Sequence, residues 1–350
     1  MKKPFAVIIC DPHFDIYSKF NKQLDGGKNS RAKLLIDEVT RIFDYAVENN
    51  IKNVFILGDV FNSAEVIKTA LFNDIVDLFS YGRQLDLAIK VIAGNHDYFS
   101  YHEHSALHSL KNIIHIIDGR NYITKICNFK ITFAPYTSNG ESLSNIDNDG
   151  DILFCHQSVD GVQIGSYELV KQKDAIDAKK LFKKFSVIIS GHIHKKQICD
   201  GVIFPGSIAQ KDFGDEGIKK YFSVLYDDLS IEYVPTQHPN FFVIDYLEGD
   251  DRKAIRNDKS VIYEDVEKDF IKVKASKALW GRLSQTTYKD RNVIVELKPE
   301  KSITAVRIKI DDLSDNKKAL TNYLSFVCKN DEWVLKHKKE LLEKGLEYLK

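Results

Sequence analysis

An α/β fold with parallel strands is predicted by three features of the sequence. Continuous apolar runs rich in Val and Ile recur at Phe5–Cys10, Asn53–Leu57 and Leu87–Ala93, the pattern of strands buried on both faces. Helical stretches stand between them with short joins, which implies right-handed crossovers and parallel pairing. Each run also ends in a polar cluster, so the clusters share one carboxyl edge, where open α/β sheets bind ligands.

The first run delivers Asp11-Pro12-His13. In extended backbone residues i and i+2 point to the same side, so Asp11 and His13 can grip one cation. The segment Tyr17–Lys28 follows, glycine-broken, with the basic residues Lys19, Lys22 and Lys28 among aromatic ones. It reads either as a solvated loop or as a path for a nucleic-acid backbone. A helix is expected from near Ser30 to Asn49, its apolar side made by Leu34, Leu35, Val39, Ile42, Phe43, Ala46 and Val47.

The second run ends in Gly58-Asp59-Val60-Phe61-Asn62, and a helix around Glu65 to Phe79 leads to the third. That one ends in Gly94-Asn95-His96-Asp97. Asn95 offers a neutral oxygen to a metal, His96 can exchange a proton near neutral pH, and Asp97 is placed to orient its imidazole. His104 and His108 fit one face of a helix, but no carboxylate completes a site, and a surface helix is the expectation.

Further strands are expected at Ile131–Tyr136 and Asp151–His156. A helix around Asp177 to Phe185 precedes the apolar run Ser186–Ser190, which delivers Gly191-His192-Ile193-His194. Gln197–Ser207 reads as a hairpin, and Tyr221–Asp227 and Ser230–Pro235 as antiparallel strands. From about Asp250 charges become dense and apolar runs shorten, with strands at Phe270–Lys274 and Val293–Leu297 and a helix near Lys277 to Leu283. This shift implies a small second domain. Asp331–Lys350 is an amphipathic helix, expected to pack on its own domain or on a partner.

The strand ends together supply Asp11, His13, Asp59, Asn95, His156, His192 and His194. Seven oxygen and nitrogen donors without a thiolate exceed the needs of one ion and suit two first-row cations such as Mn²⁺ or Fe²⁺, with Asp59 as the bridge. Two cations about 3.5–4 Å apart clamp a phosphoryl group during in-line displacement. His96 is then the general acid for the leaving oxygen, with Asp97 fixing its tautomer.

This series of motifs resembles the signature of the calcineurin-like metallophosphoesterases over about the first two-thirds of the chain. Gly94-Asn95-His96-Asp97 and Leu57-Gly58-Asp59-Val60-Phe61 resemble the SbcD-type DNA repair nucleases. So do Phe204-Pro205-Gly206-Ser207 and Asp212-Phe213-Gly214-Asp215. The resemblance implies an α/β fold, a metallophosphoesterase β-sandwich flanked by helices, over residues 1–245. A smaller α+β capping, DNA-binding domain over 246–330 and a helix at 331–350 that docks on an ATPase would follow. It implies a Mn²⁺-dependent double-strand exonuclease and single-strand endonuclease, dimeric and working with an SbcC-type ATPase in repair and recombination. Asp11, His13, Asp59 and His194 would surround one metal, and Asp59, Asn95, His156 and His192 the other. Some family members place a histidine where Asn62 stands, which leaves the part of Asn62 in holding phosphate open. The short length resembles phage-encoded versions.

Two rival functions use the same residues. A small-substrate phosphoesterase, cleaving a cyclic nucleotide or a phosphomonoester, would have little use for the basic loop and second domain. A metal-bound scaffold without turnover, presenting a surface to an ATPase, would have no need of His96. The remaining composition bounds the setting. Fifty basic and fifty acidic side chains cancel, so a polyanion has to be held by local patches. Five scattered cysteines (Cys10, Cys127, Cys155, Cys199, Cys328) without a C-x-x-C pair argue for a reducing compartment and against a thiolate zinc site. The first apolar run is too short for a signal peptide or a membrane span, so a cytoplasmic protein is expected, in the host cytoplasm if phage-encoded.

Overall fold

The computed structural model describes residues 2–99, 105–164, 167–246, 254–256, 260–261, 269–275, 292–297 and 332–348. Their strands run in chain order as β1 (Pro4–Ile9), β2 (Asn53–Leu57), β3 (Ala88–Ile92), β4 (His115–Ile117), β5 (Tyr122–Ile126), β6 (Phe129–Phe133) and β7 (Gly150–Cys155). After a short ribbon of β8 (Gln163–Ile164) and β9 (Tyr167–Glu168) come β10 (Phe185–Ser190), β11 (Gln197–Cys199), β12 (Val202–Phe204), β13 (Tyr221–Tyr226) and β14 (Ile231–Pro235). Two six-stranded sheets result, ordered β14-β13-β1-β2-β3-β4 and β11-β12-β10-β7-β6-β5.

In the first sheet β1 to β4 pair in parallel and β13 and β14 are antiparallel. Side chains alternate between its faces. Ala6, Ile8, Phe55, Leu57 and Ile92 pack against Ile131, Phe133, Ile152, Phe154 and Ile189 of the second sheet. Phe55, Phe133 and Phe154 stand 5.0 to 5.2 Å apart at the centre of that seam. On the outer face Val7, Ile9, Val54, Ile56 and Val91 pack against helices α1 (Ser30–Glu48) and α2 (Thr69–Gln84). The second sheet's outer face, with Leu153, Cys155 and Ile188, is covered by α3 (Gly140–Ser144) and α4 (Ala178–Leu181). Every strand in the middle is therefore buried on both sides, which is why the runs read as continuous.

Helix α1 starts where expected, because the Asn29 side chain accepts hydrogen bonds from the amides of Arg31 and Ala32. Leu34 and Val47 lie off its buried face, 37% and 43% exposed. Helix α2 begins at Thr69, four residues later than Glu65, with Lys68 in extended backbone before it. His108 lies in a short 3₁₀ turn, Ala106–Leu110, rather than an α-helix, and His104 lies outside the described residues. Of the apolar residues before and in α2, Leu71 is buried and Ile67 and Phe72 pack on the first core. Val66 is 75% exposed.

A third sheet, β17-β16-β15-β18-β19, joins β15 (Phe241–Tyr246), β16 (Ala254–Arg256), β17 (Ser260–Val261), β18 (Phe270–Ala275) and β19 (Val293–Leu297). The chain divides into compact units at residues 1–297 and 298–350. In the second unit the helix Glu332–Tyr348 is described, and the stretch expected to be helical near Lys277 to Leu283 lies outside the described residues. No helix among the described residues is long and apolar enough to cross a membrane.

Candidate metal centre

The carboxyl ends of β1, β2 and β3 and of β7 and β10 meet at one rim of the sandwich. Asp11, His13, Asp59 and Asn95 come from the first sheet, and His156, His192 and His194 from the second. Asp11, His13, Asp59 and His192 have left-handed backbones, with φ of 51°, 48°, 49° and 77°. Such residues cost about 1–3 kcal/mol each and persist only where the surroundings fix them. Here neighbouring amides do so: His13 N–H donates to the Asp59 carbonyl at 2.9 Å, and His192 N–H to Asp11 Oδ1 at 3.0 Å.

The seven expected ligands converge. The ligand atoms of Asp11, His13 and His194 lie within 4.8 Å of one another, as do those of Asp59, His156 and His192, and of His13, Asp59 and His96. Asp59 belongs to two of these groups. Its Oδ2 lies 3.5 Å from His13 Nε2 and its Oδ1 3.3 Å from His156 Nε2, so the two oxygens face opposite halves of the site. Asn95 Oδ1 sits 3.0 Å from His156 Nε2 and 2.9 Å from His192 Nδ1.

Cations fit this donor set. His156 Nδ1 faces the Leu57 carbonyl at 2.7 Å, which turns Nε2 toward Asp59 and Asn95. His194 Nδ1 faces Asp215 at 3.2 Å, which turns its Nε2 toward His13 Nε2, 3.0 Å away. Two neutral imidazole nitrogens at that distance need a proton or a cation between them. Asp11 Oδ2 and His13 Nδ1 are buried without a hydrogen-bond partner. The cradle is also tight at its floor: a Cβ on Gly94 would meet Asp59 Oδ1 at 2.2 Å, and one on Gly58 would meet His156 Nδ1 at 2.2 Å.

The carboxylates and imidazoles of the site offset one another electrostatically. Burial opposes ionisation of Asp59, but the imidazoles of His156, His13 and His96 outweigh it and hold the carboxyl well below its usual range. Burial would likewise neutralise His156, yet Asp59 pushes it up to about 9. A cation held by Asp59 and His156 would supply that positive charge and would displace the proton. Burial raises Asp11 to about 6 and, with His156, lowers His192 to about 3.

His96 lies at the rim, partly exposed, its ring 4.9 Å from that of His13 and its amide donating to Asp59 Oδ1 at 2.9 Å. Its Nδ1 is 2.7 Å from the backbone carbonyl of Asn62. The expectation that Asp97 orients this imidazole is therefore corrected. Asp97 is fully buried, and its carboxylate accepts from the amides of Val60, Phe61 and Gly94 at 2.9 to 3.2 Å, tying the loop of Asp59 to that of Asn95. Burial raises its carboxyl to about 7 against those bonds. Asn62 contributes its carbonyl to His96 while its side-chain amide donates to Asp15 Oδ2 at 2.7 Å.

The basic segment differs from a free nucleic-acid path. Lys28 pairs with Asp74 at 2.7 Å, and the Lys19 carbonyl accepts from Arg31. Phe20 packs on Phe213, Phe241 and Phe270 at 5.2 to 6.2 Å, pinning the loop to the third sheet. Lys19, Lys22 and Lys28 remain exposed at its surface.

Two carboxylates escaped the motif reading. Asp215 backs His194, and Asp174 Oδ2 lies 3.4 Å from His192 Nε2. Asp174 is held by Ser158 Oγ at 3.1 Å, and its backbone carbonyl by the buried Gln157 at 2.7 Å. Asp215 stood in a quoted motif without a role, and nothing near Asp174 marks it. Only the fold brings either to a histidine.

The profile of the calcineurin-like phosphoesterases matches residues 7–196. The chain belongs to that family and is a hydrolase of phosphoesters, and its His and Asp clusters are suited to the dinuclear divalent metal site that the family uses. Among solved structures it is similar to an archaeal phosphodiesterase, at 13% identity and a TM-score of 0.34, over 67% of this chain and 99% of that one. No curated protein matches the chain significantly.

Proposed function

We propose that the protein is a metal-dependent DNA nuclease of the SbcD type, a dimer that cuts phosphodiester bonds in concert with an SbcC-type ATPase. The observation that carries phosphodiester hydrolysis is the convergence of six donors around Asp59, with His96 beside them and its Nδ1 held by the Asn62 carbonyl. The nuclease reading is supported by the Gly94–Asp97 and Leu57–Phe61 motifs and by the third sheet, which a small-substrate enzyme would not need.

Asp11, His13, Asp59 and His194 would hold one cation, Mn²⁺ or Fe²⁺, and Asp59, Asn95, His156 and His192 the other. Bound there, the pair supplies Lewis acidity to the phosphoryl oxygens and to the attacking water. The protein's own groups do the rest. The Asn62 carbonyl keeps the proton of His96 on Nδ1, so that Nε2, when also protonated, faces the leaving oxygen. As the bridging P–O bond breaks, that proton passes to the departing alkoxide. Asp97 fixes the distance between the loops that carry Asp59 and Asn95.

The test is digestion of end-labelled linear duplex and of circular single strands with Mn²⁺, with and without an SbcC-type ATPase, beside a cyclic-nucleotide control. DNA cleavage that outpaces the control is expected. Rapid cyclic-nucleotide hydrolysis with intact DNA would assign the protein to small substrates instead.

A further inference from the structure

A concavity of about 520 Å³ opens on the same rim as the metal centre, lined by Lys195, Lys196, Glu216, Gly217, Ile218, Lys219 and Tyr221. Its two walls start at the metal centre's own His194–Asp215 contact. Lys195 directly follows His194, and Glu216 directly follows Asp215. The strand register places the mouth at the rim as well. Ile8 of β1 pairs with Ser223, so Tyr221, two residues toward the start of antiparallel β13, lies beyond the carboxyl end of β1.

The charge in this cavity is one-sided. Three lysines face one acid, and Glu216 Oε1 is already engaged by the amide of Val243 at 2.7 Å. Lys196 Nζ rests over the rings of Tyr221 and Tyr233, 4.9 and 4.3 Å from their centroids, which holds the ammonium at the wall without neutralising it. No ion pair to Lys195, Lys196 or Lys219 is found among the described residues. The Tyr17–Lys28 loop, by contrast, has Lys28 committed to Asp74 and its aromatic residue Phe20 packed away. In a chain whose charges cancel overall, a cationic, aromatic-walled cavity whose walls follow His194 and Asp215 in sequence is suited to a polyanion continuing past the cleaved bond.

We propose that Lys195, Lys196 and Lys219 with Tyr221 form a subsite for the sugar-phosphate backbone of the nucleic-acid strand flanking the scissile phosphodiester. The subsite rests on the nuclease reading above and adds a length requirement to it. A small diester reaches the cations without touching the cavity, whereas a polynucleotide gains contacts to neighbouring phosphates.

The experiment compares the full chain with a Lys195→Gln/Lys196→Gln/Lys219→Gln variant and its all-Arg counterpart. Binding of a fluorescent single-stranded oligonucleotide is titrated in Mn²⁺ at several salt concentrations, in a His96→Asn background that suppresses cleavage. Hydrolysis of bis-p-nitrophenyl phosphate is measured with His96 intact. For three phosphate contacts at roughly 0.7 each, the Gln variant should flatten the slope of log affinity against log salt by about 2 and bind at least about tenfold more weakly. Its loss on the small diester should be far smaller, which also reports a folded metal centre. The Arg variant should bind as the parent does. An unchanged slope and affinity in the Gln variant would overturn the subsite while leaving the nuclease reading intact. Failure of the parent to bind the oligonucleotide, with small-diester hydrolysis preserved, would overturn both.

Discussion

His96 takes its orientation from a peptide carbonyl, and this makes its function separable from that of Asp97. His96→Asn should bind two Mn²⁺ by calorimetry as the parent does and lose about 10²–10⁴-fold in kcat on DNA. Unchanged turnover would remove His96 from the mechanism. Asp97→Asn leaves at least one of the three amides of Val60, Phe61 and Gly94 facing an NH₂ group instead of an oxygen. It should cost about 1–3 kcal/mol in urea unfolding. The outer carboxylates are expected to act on one cation each, Asp215 through His194 and Asp174 through His192. Asp215→Asn and Asp174→Asn should each weaken a single Mn²⁺ site by about 10–100-fold. Equal weakening of both sites by either variant would contradict that division.

At the level of elements, the ligands are split between two sheets that touch through Phe55, Phe133 and Phe154. Phe154→Ala should cost about 3–5 kcal/mol of stability and lower Mn²⁺ affinity although it touches no ligand. Affinity unchanged in a destabilised variant would mean that the rim is braced independently of the core. The strands and their terminal ligands were legible because double burial leaves unbroken apolar runs and the chemistry sits at their ends. The true start of α2 was not, since Val66 and Ile67 continue the apolar pattern of the helix although the backbone there is not helical. Asp174 and the Lys28–Asp74 pair were equally hidden, because each depends on a partner more than ten residues away that only tertiary structure supplies. The same holds for the Asn62 carbonyl, which no side-chain pattern can announce.

For the molecule as a whole, the third sheet brings a buried titratable group with it. His238, 7% exposed before β15, has its pKa lowered to about 3 by burial and by Lys220. Its folded value lies below the ordinary 6.5, so the unfolded chain takes up the proton first as pH falls. The stability it contributes is complete above pH 6.5 and is lost progressively toward about pH 3, at no more than about 1.4 kcal/mol per pH unit. His238→Gln should therefore show a shallower acid dependence of the urea midpoint in that window. An identical dependence would place the acid sensitivity elsewhere. The left-handed backbones at Asp11, His13, Asp59 and His192 carry a different consequence. Segments so contorted have no reason to hold that shape in isolation, so the donor set for a divalent cation is expected to assemble only once both layers have closed over each other. Ions would then join a finished scaffold, and a chelator is expected to strip them from a protein that stays folded.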